Sequence, residues 1–374
     1  MVVGIDARAA NVAAPLGVGV YCQELIRAIA ALPDAPSLRL YLDAEPSPGF
    51  PVENEQADIR ILPRGFAWTT LQLARELRRE PPDVFFAPVM QVPLGVPCPV
   101  VATAHGLPFH KYGSSPNPLR RVWAVLRTLL ILWRCDRIIA ISDSMKADMV
   151  NVLRTAGDRV AVIPHGCSPG FRPDVDPGAV ARVRERYELP ERYVLYCGRI
   201  GMHKNLVRLI DAFTAVRTRH PKLHCQLVLA GSMQLDSGPI KAAAERSSVK
   251  EDIRFIGYVD RSELPMLMAG AHALAFVSLW ESFGMPALEA MASGTPVVAS
   301  NCGALPEVCG DAAVLVDPSD TKAIEFGLER LLTDEGYRLG LRDCGLQRAS
   351  EFSWDRTARE TLRVIRTEGE GTAP

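Results

Sequence analysis

Among its nine cysteines the chain has no C-x-x-C pair and no zinc-like spacing, and several sit inside apolar runs such as YVLYC197 and LHC225QLVLA. An odd count without a framework argues against a disulfide-stapled secreted scaffold and fits a reducing cytoplasm. Neither sign of charge is in excess: 42 Lys+Arg against 43 Asp+Glu leave a net −1. Nucleic acid, which calls for a basic domain, is therefore not the expected partner. The opening MVVGIDARAA has no basic region ahead of its apolar run and reads as a buried strand, not a secretory leader. Val84 to Ala104 carries no charge, yet Pro88, Pro93, Pro97 and Pro99 would break the helical hydrogen bonding that a bilayer demands of a span. Three nucleotide signatures are also missing. There is no GxGxxG with an acidic partner, which argues against a dehydrogenase, and no GxxxxGK[ST] P-loop. No Asp-x-Asp metal motif stands at a strand end, so no metal ligand is assigned.

What remains has a clear rhythm. A length of 374 residues with 48% hydrophobic and 23% charged content suits a soluble chain of two or three domains. Short apolar runs alternate with amphipathic segments through the first half: Val2–Ile5, Leu38–Leu42, Ile59–Leu62, Asp83–Pro88, Pro99–His105, Ile138–Ser142 and Val160–Gly166 read as strands. Gly17 and Gly19 open a helix after the first strand, an arrangement that lets backbone N–H groups face a phosphate or sugar. His105 ends a strand, the place where open α/β sheets bind ligands. Pro169-Gly-Phe-Arg-Pro173 and Pro177-Gly178 have linker composition. The alternation then restarts with strands at Tyr193–Cys197, Leu227–Gly231, Ile253–Gly257, Ala273–Val277, Val297–Ala299 and Ala313–Val316. After the first of these, Gly198-Arg199-Ile-Gly-Met-His-Lys204 leads into a helix. Two cations ahead of a helix N-terminus make a diphosphate clamp.

The stretch Leu279–Val308, LWESFGMPALEAMASGTPVVASNCGALPEV, is the richest in chemistry. Glu281 and Glu289 have seven residues between them, across a turn (Phe283, Gly284, Met285) and the start of a helix, with Pro286 suited to its first position. Open N–H groups and the positive end of the helix dipole favour oxygen-rich ligands, and two carboxylates would accept from hydroxyls. Together these features call for a polyhydroxylated ligand.

This stretch resembles the Glu-x₇-Glu motif of glycosyltransferase family 4, as do the Gly294-Thr-Pro-Val-Val-Ala-Ser and Gly303-Ala-Leu-Pro-Glu-Val segments that follow it. The resemblance implies a GT-B fold: two Rossmann-like α/β domains facing each other across a cleft, over 1–172 and 173–352, with 353–374 as a closing helix returning to the first domain plus a frayed tail from Thr367. It implies a retaining hexosyltransferase that uses a nucleotide sugar as donor and needs no metal or other cofactor. A glycan or lipid-linked glycan would be the acceptor. Donor contacts would come from Gly17, Gly19, Arg199, Lys204, Phe283, Gly284, Met285 and Glu289, the last on the ribose. Glu281 would hold the sugar hydroxyls, and Arg199 and Lys204 would neutralise the departing diphosphate. His105 would contact the sugar from the opposite wall, although Gly106 stands where the family usually carries Asp. DVFFAPVMQVPLG and TAHGLPFH look most like mannosyl- and rhamnosyl-transferring members, so GDP-mannose is the first expectation for the donor, ahead of UDP-hexoses. A GT-B nucleotide-sugar 2-epimerase and a non-catalytic nucleotide-sugar-binding protein are the alternatives.

Pro118 to Arg137, PLRRVWAVLRTLLILWRCDR, reads as a helix packed on the sheet with snorkelling arginines. Its alternative is an amphipathic helix lying on a membrane surface, which would make the chain peripheral on the inner face.

Overall fold

The computed structural model describes residues 1–52, 57–106 and 118–370. The chain divides into two units, Met1–Gly166 with Ser353–Pro374, and Cys167–Phe352. The division thus falls at Gly166/Cys167, earlier than the 172/173 expected from the Pro/Gly-rich passage. Composition misplaced it because Ser168 and Phe171 already bind inside the second unit, where Arg261 donates to Ser168 Oγ at 2.9 Å and its guanidinium lies 5.8 Å from the Phe171 ring centre.

The first unit is built on seven parallel strands: β1 (Val2–Asp6), β2 (Ser37–Leu42), β3 (Asp58–Ile61), β4 (Val84–Ala87), β5 (Val100–Ala104), β6 (Arg137–Ala140) and β7 (Val160–Val162). Their order is β3-β2-β1-β4-β5-β6-β7. The central strands are unbroken apolar runs (VFFA, VVATA) because helices cover both faces of such a sheet and leave no polar side. The uncharged run Val84–Ala104 accordingly supplies two strands, β4 and β5. The helices are α1 (Val18–Ala30), α2 (Ala74–Arg79), α3 (Pro118–Arg134) and α4 (Asp143–Leu153). A π-helical turn, Thr69–Leu73, leads into α2. Ser142 caps α4 by accepting from Met145 N at 3.1 Å.

The closing helix, Trp354–Glu370, joins this unit. Trp354, Ala358, Leu362 and Ile365 recur at helical spacing and enter the core beside Tyr21, Leu25, Ile26 and Ile29 of α1. Helix continues through Thr367 to Glu370, where a frayed tail was expected; residues 371–374 lie outside the described residues. Arg366, paired with Asp34 at 2.7 Å, and Glu368, paired with Arg137 at 2.6 Å, tie that last turn down.

The second unit has six parallel strands: β8 (Tyr193–Cys197), β9 (Gln226–Ala230), β10 (Ile253–Gly257), β11 (Ala273–Phe276), β12 (Val297–Ser300) and β13 (Val314–Val316), in the order β10-β9-β8-β11-β12-β13. Around them run α5 (Pro177–Arg186), α6 (Leu206–Arg219), α7 (Gly238–Arg246), α8 (Leu264–Ala269), α9 (Met285–Ala292), α10 (Leu305–Cys309), α11 (Thr321–Thr333) and α12 (Glu335–Ala349). Strand order reverses between β1 and β4 in one sheet and between β8 and β11 in the other. At such a switch point neighbouring crossovers part to opposite faces, which opens a crevice beyond the carboxyl ends of the strands.

Candidate active site

In the second unit the reversal between β8 and β11 gathers the expected residues. Arg199 lies just beyond β8 with its side chain exposed, and among the described residues no carboxylate pairs with it. Lys204 ends a 3-10 turn, Met202–Lys204, which Asn205 converts into α6. Asn205 is buried and left-handed (φ 61°), and its side-chain amide donates to Val277 O at 3.0 Å and Pro318 O at 2.7 Å. The amide therefore clamps the cationic turn to the end of β11. Leu279 N, donating to His203 O at 3.0 Å, adds a second tie between the two loops.

Those ties bring together side chains distant in sequence. Lys204 Nζ sits 2.5 Å from Glu281 Oε1, both side chains largely buried. An ammonium paired this way fixes the direction of the carboxylate, while its remaining N–H groups can donate to a phosphate oxygen. Beyond Glu281, Gly284 caps α9 with φ 111°, a value that L side chains rarely adopt. A Cβ at Gly284 would also meet Leu305 Cδ2 at 2.5 Å. Pro286 occupies the second position of α9, one later than expected, and Met285 the first. Among the described residues no acceptor takes the N–H of Gly284 or Met285, so the mouth of α9 offers two donors. Phe283 is buried, its ring edge-on to Phe352 at 6.1 Å.

Glu289, one turn into α9, is buried, and desolvation pushes its carboxyl up to about 7 against the lowering effect of Arg261. Arg261 Nη1 stands 3.5 Å from Glu289 Oε1. This arginine was not marked by the sequence. Its sole sequence signal was a cation just beyond a strand end. Because burial raises its pKa to near neutrality, Glu289 ionises as the pH rises through about 7. An acid raised in the folded state costs stability above its unfolded pKa, so this group's unfavourable contribution develops between acidic and neutral pH. If ionised Glu289 accepts a ribose hydroxyl, donor affinity should strengthen across the same window. Arg261→Ala removes the charge that favours ionisation, so the midpoint of a donor-binding titration should move to higher pH. Calorimetric titrations from pH 6 to 9 would check this; an unmoved midpoint would separate Arg261 from Glu289.

In the first unit His105 follows β5, and its Nε2 lies 2.7 Å from Pro88 O. A carbonyl only accepts, so Nε2 carries the proton and Nδ1 is left as an acceptor. Burial pulls the imidazole down to about 4, so it is neutral at pH 7. The ring packs edge-on against Tyr21 (4.6 Å, 74°) and His165 (5.6 Å, 78°). Orientation that the missing acidic neighbour at Gly106 would have supplied comes here from a backbone carbonyl and two rings. Gly17 is the N-cap of α1 and Gly19 lies in its first turn. Asp6, buried at the end of β1, is held by Arg8 (Nη2 to Oδ2, 2.6 Å). The sequence did not mark Arg8.

Two doubly wound parallel sheets, one with cations, carboxylates and a helix mouth at its switch point, make this a two-unit α/β protein with two Rossmann-like sheets. The family is more specific. Residues 181–345 match the family model described as Glycosyl transferases group 1, and residues 16–171 match that of Glycosyltransferase Family 4. The chain belongs to this glycosyltransferase family, as the Glu281–Glu289 motif implied. It is 32% identical over 234 residues to O-antigen chain mannosyltransferase B of Escherichia coli, covering 61% of this chain and 60% of that protein. It is 34% identical over 288 residues to D-inositol 3-phosphate glycosyltransferase of Salinispora tropica, covering 71% of this chain and 58% of that protein. The chain thus spans about 60% of the length of the curated relatives it matches. Among solved structures, sucrose-phosphate synthase of Thermosynechococcus elongatus superposes over the whole of both chains with a TM-score of 0.79 at 22% identity. HepE of Anabaena, in complex with UDP and glucose, gives 0.74 at 16% identity over 98% of this chain and 99% of that one. These likenesses establish two Rossmann-like α/β domains of the GT-B type.

Proposed function

We propose that this protein transfers a hexosyl unit, mannose from GDP-mannose in the first instance, to a hydroxyl of a glycan or lipid-linked acceptor in the cytoplasm, with retention at the anomeric carbon. The observation that carries this reading is the Lys204–Glu281 pair at 2.5 Å beside the open mouth of α9 and the exposed Arg199. A departing nucleoside diphosphate gains negative charge as the bond from its β-phosphate oxygen to the anomeric carbon breaks. Arg199 and Lys204 stand as fixed cations to receive it, with no metal required. Glu281 accepts from the sugar hydroxyls, and the N–H groups of Gly284 and Met285 donate to its oxygens. Glu289 accepts from the ribose, and His105 accepts a hydroxyl at Nδ1. In this scheme Glu281 binds and polarises; it is not a nucleophile. The name of the Escherichia coli relative supports mannose as the sugar.

A thermal-shift screen with GDP, UDP, ADP and TDP tests the donor, because a ligand at about a hundredfold its Kd stabilises by ~2.7 kcal/mol. GDP is expected to give the largest shift, and GDP-mannose with a glycan acceptor to yield an α-linked product by NMR. Stabilisation by none of the four would overturn the donor assignment. Epimerisation of donor alone, or binding without transfer to any acceptor, would replace transfer with isomerisation or simple binding.

A further inference from the structure

Helix α3 departs from the packed, snorkelling helix expected of it. Its inner row is buried (Thr128, Ile131, Leu132), followed by buried Cys135. Its outer row is apolar as well. Val122, Leu126, Leu129, Leu130 and Trp133 follow the i, i+4, i+7, i+8, i+11 spacing of a single helical stripe, and all face solvent. Leu126 is 52% exposed and Trp133 76%. A soluble helix ordinarily places charge on that face, and a contiguous exposed apolar row marks an interaction surface.

Charge indicates what covers it. No Asp or Glu stands between Asp83 and Asp136, while Lys111, Arg120, Arg121, Arg127 and Arg134 fall in that interval. Arg127 and Arg134 stand seven positions apart, so they share one flank of the helix beside the apolar stripe. Arg134 is held there by donation to Val96 O and Cys98 O, each at 3.1 Å, and by Asp136 Oδ2 at 3.4 Å, whereas Arg127 is exposed. An apolar stripe with a Trp, on a helix without acidic residues and with Arg127 exposed on its flank, matches the interface of an anionic bilayer, where acyl chains take the stripe and headgroup phosphates take the exposed arginine. Among the described residues no helix is long and apolar enough to cross a membrane. The contact is therefore parallel to the surface.

We infer that α3 is a docking face for an anionic phospholipid bilayer, with Val122, Leu126, Leu129, Leu130 and Trp133 entering the interface. The inference stands independently of the donor and of the transfer step. Flotation of the full chain with phosphatidylcholine vesicles, with and without phosphatidylglycerol, tests it. The protein should float with the anionic vesicles, lose binding as salt is raised, and stay behind with phosphatidylcholine alone. The double variant Leu126→Glu/Leu130→Glu, placed on the solvent face, should lower the bound fraction at least about tenfold with its melting temperature unchanged. Arg127→Glu is a single exposed exchange that carries the test if the double variant does not fold; it should weaken binding by about tenfold. No flotation at any composition, equal flotation with both vesicle types, or variants that float like the parent would overturn the inference. So would a dimer by light scattering that the double variant breaks while vesicles remain unbound, since α3 would then meet a second copy.

Discussion

Glu281→Ala is expected to lower sugar transfer by roughly 10²–10³, the scale on which single preorganised polar partners act in enzymes. Binding of free nucleoside diphosphate should persist. In the parent, Lys204 Nζ is 2.5 Å from Glu281 Oε1, so on the proposed reading the carboxylate and an incoming phosphate would share one ammonium. Without the carboxylate, the ammonium keeps its place through the Asn205 clamp and turns wholly to the phosphate. The nucleoside diphosphate should therefore bind as tightly as before, or more tightly, while the sugar loses its acceptor. Initial rates with donor and acceptor, alongside calorimetry with the diphosphate alone, would separate the two effects. Transfer at the parental rate would remove Glu281 from the mechanism. Loss of diphosphate binding in parallel would instead mean that the carboxylate holds Lys204, with the sugar contact secondary.

The second large effect is expected from a residue that touches no proposed ligand. Gly303 has φ 63°, and a Cβ added there would lie 2.5 Å from Glu281 O and 2.9 Å from Glu281 N. Ala304 N donates to Glu281 O at 3.0 Å in the same place. Gly303→Ala must therefore push the Glu281 backbone away, in addition to a conformational cost of about 1–2 kcal/mol for the left-handed residue. Displacing a positioned group by an ångström can cost about 10²-fold in rate, so a loss of that order is expected with most of the fold intact. Gly49→Ala supplies the control. It too has positive φ (81°), but nothing lies within 4 Å of its would-be Cβ, so it should show the strain in a melting curve and keep full transfer. Equal behaviour of the two variants would mean that backbone strain, and not contact with Glu281, governs Gly303.

Where local pattern and final structure coincide, the physics is short-range. Buried parallel strands leave apolar runs, so β1, β4, β5, β8 and β11 stood out within a residue or two of their bounds. The glycine turns and the Glu281–Glu289 spacing likewise depend on a few neighbouring residues, and they sufficed to indicate the family. The mistaken expectations concern segments whose local pattern was ambiguous. A helix apolar on both sides, as α3 is, carries no sign of which side meets the sheet. A Pro/Gly-rich stretch such as Pro169–Gly178 looks like a linker whether or not its first residues bind inward.

The residues in order were enough to indicate two α/β halves, the glycosyltransferase family and most of the side chains proposed for the site, because backbone geometry writes those features into nearby positions. Only the folded chain decided how these side chains work: Lys204 on Glu281 across 77 positions, Arg261 beside a Glu289 that burial brings close to neutrality, and a neutral His105 aimed by Pro88. Ion pairs, desolvation and tautomers arise from groups that meet through space, and strand order, not chain order, sets those meetings.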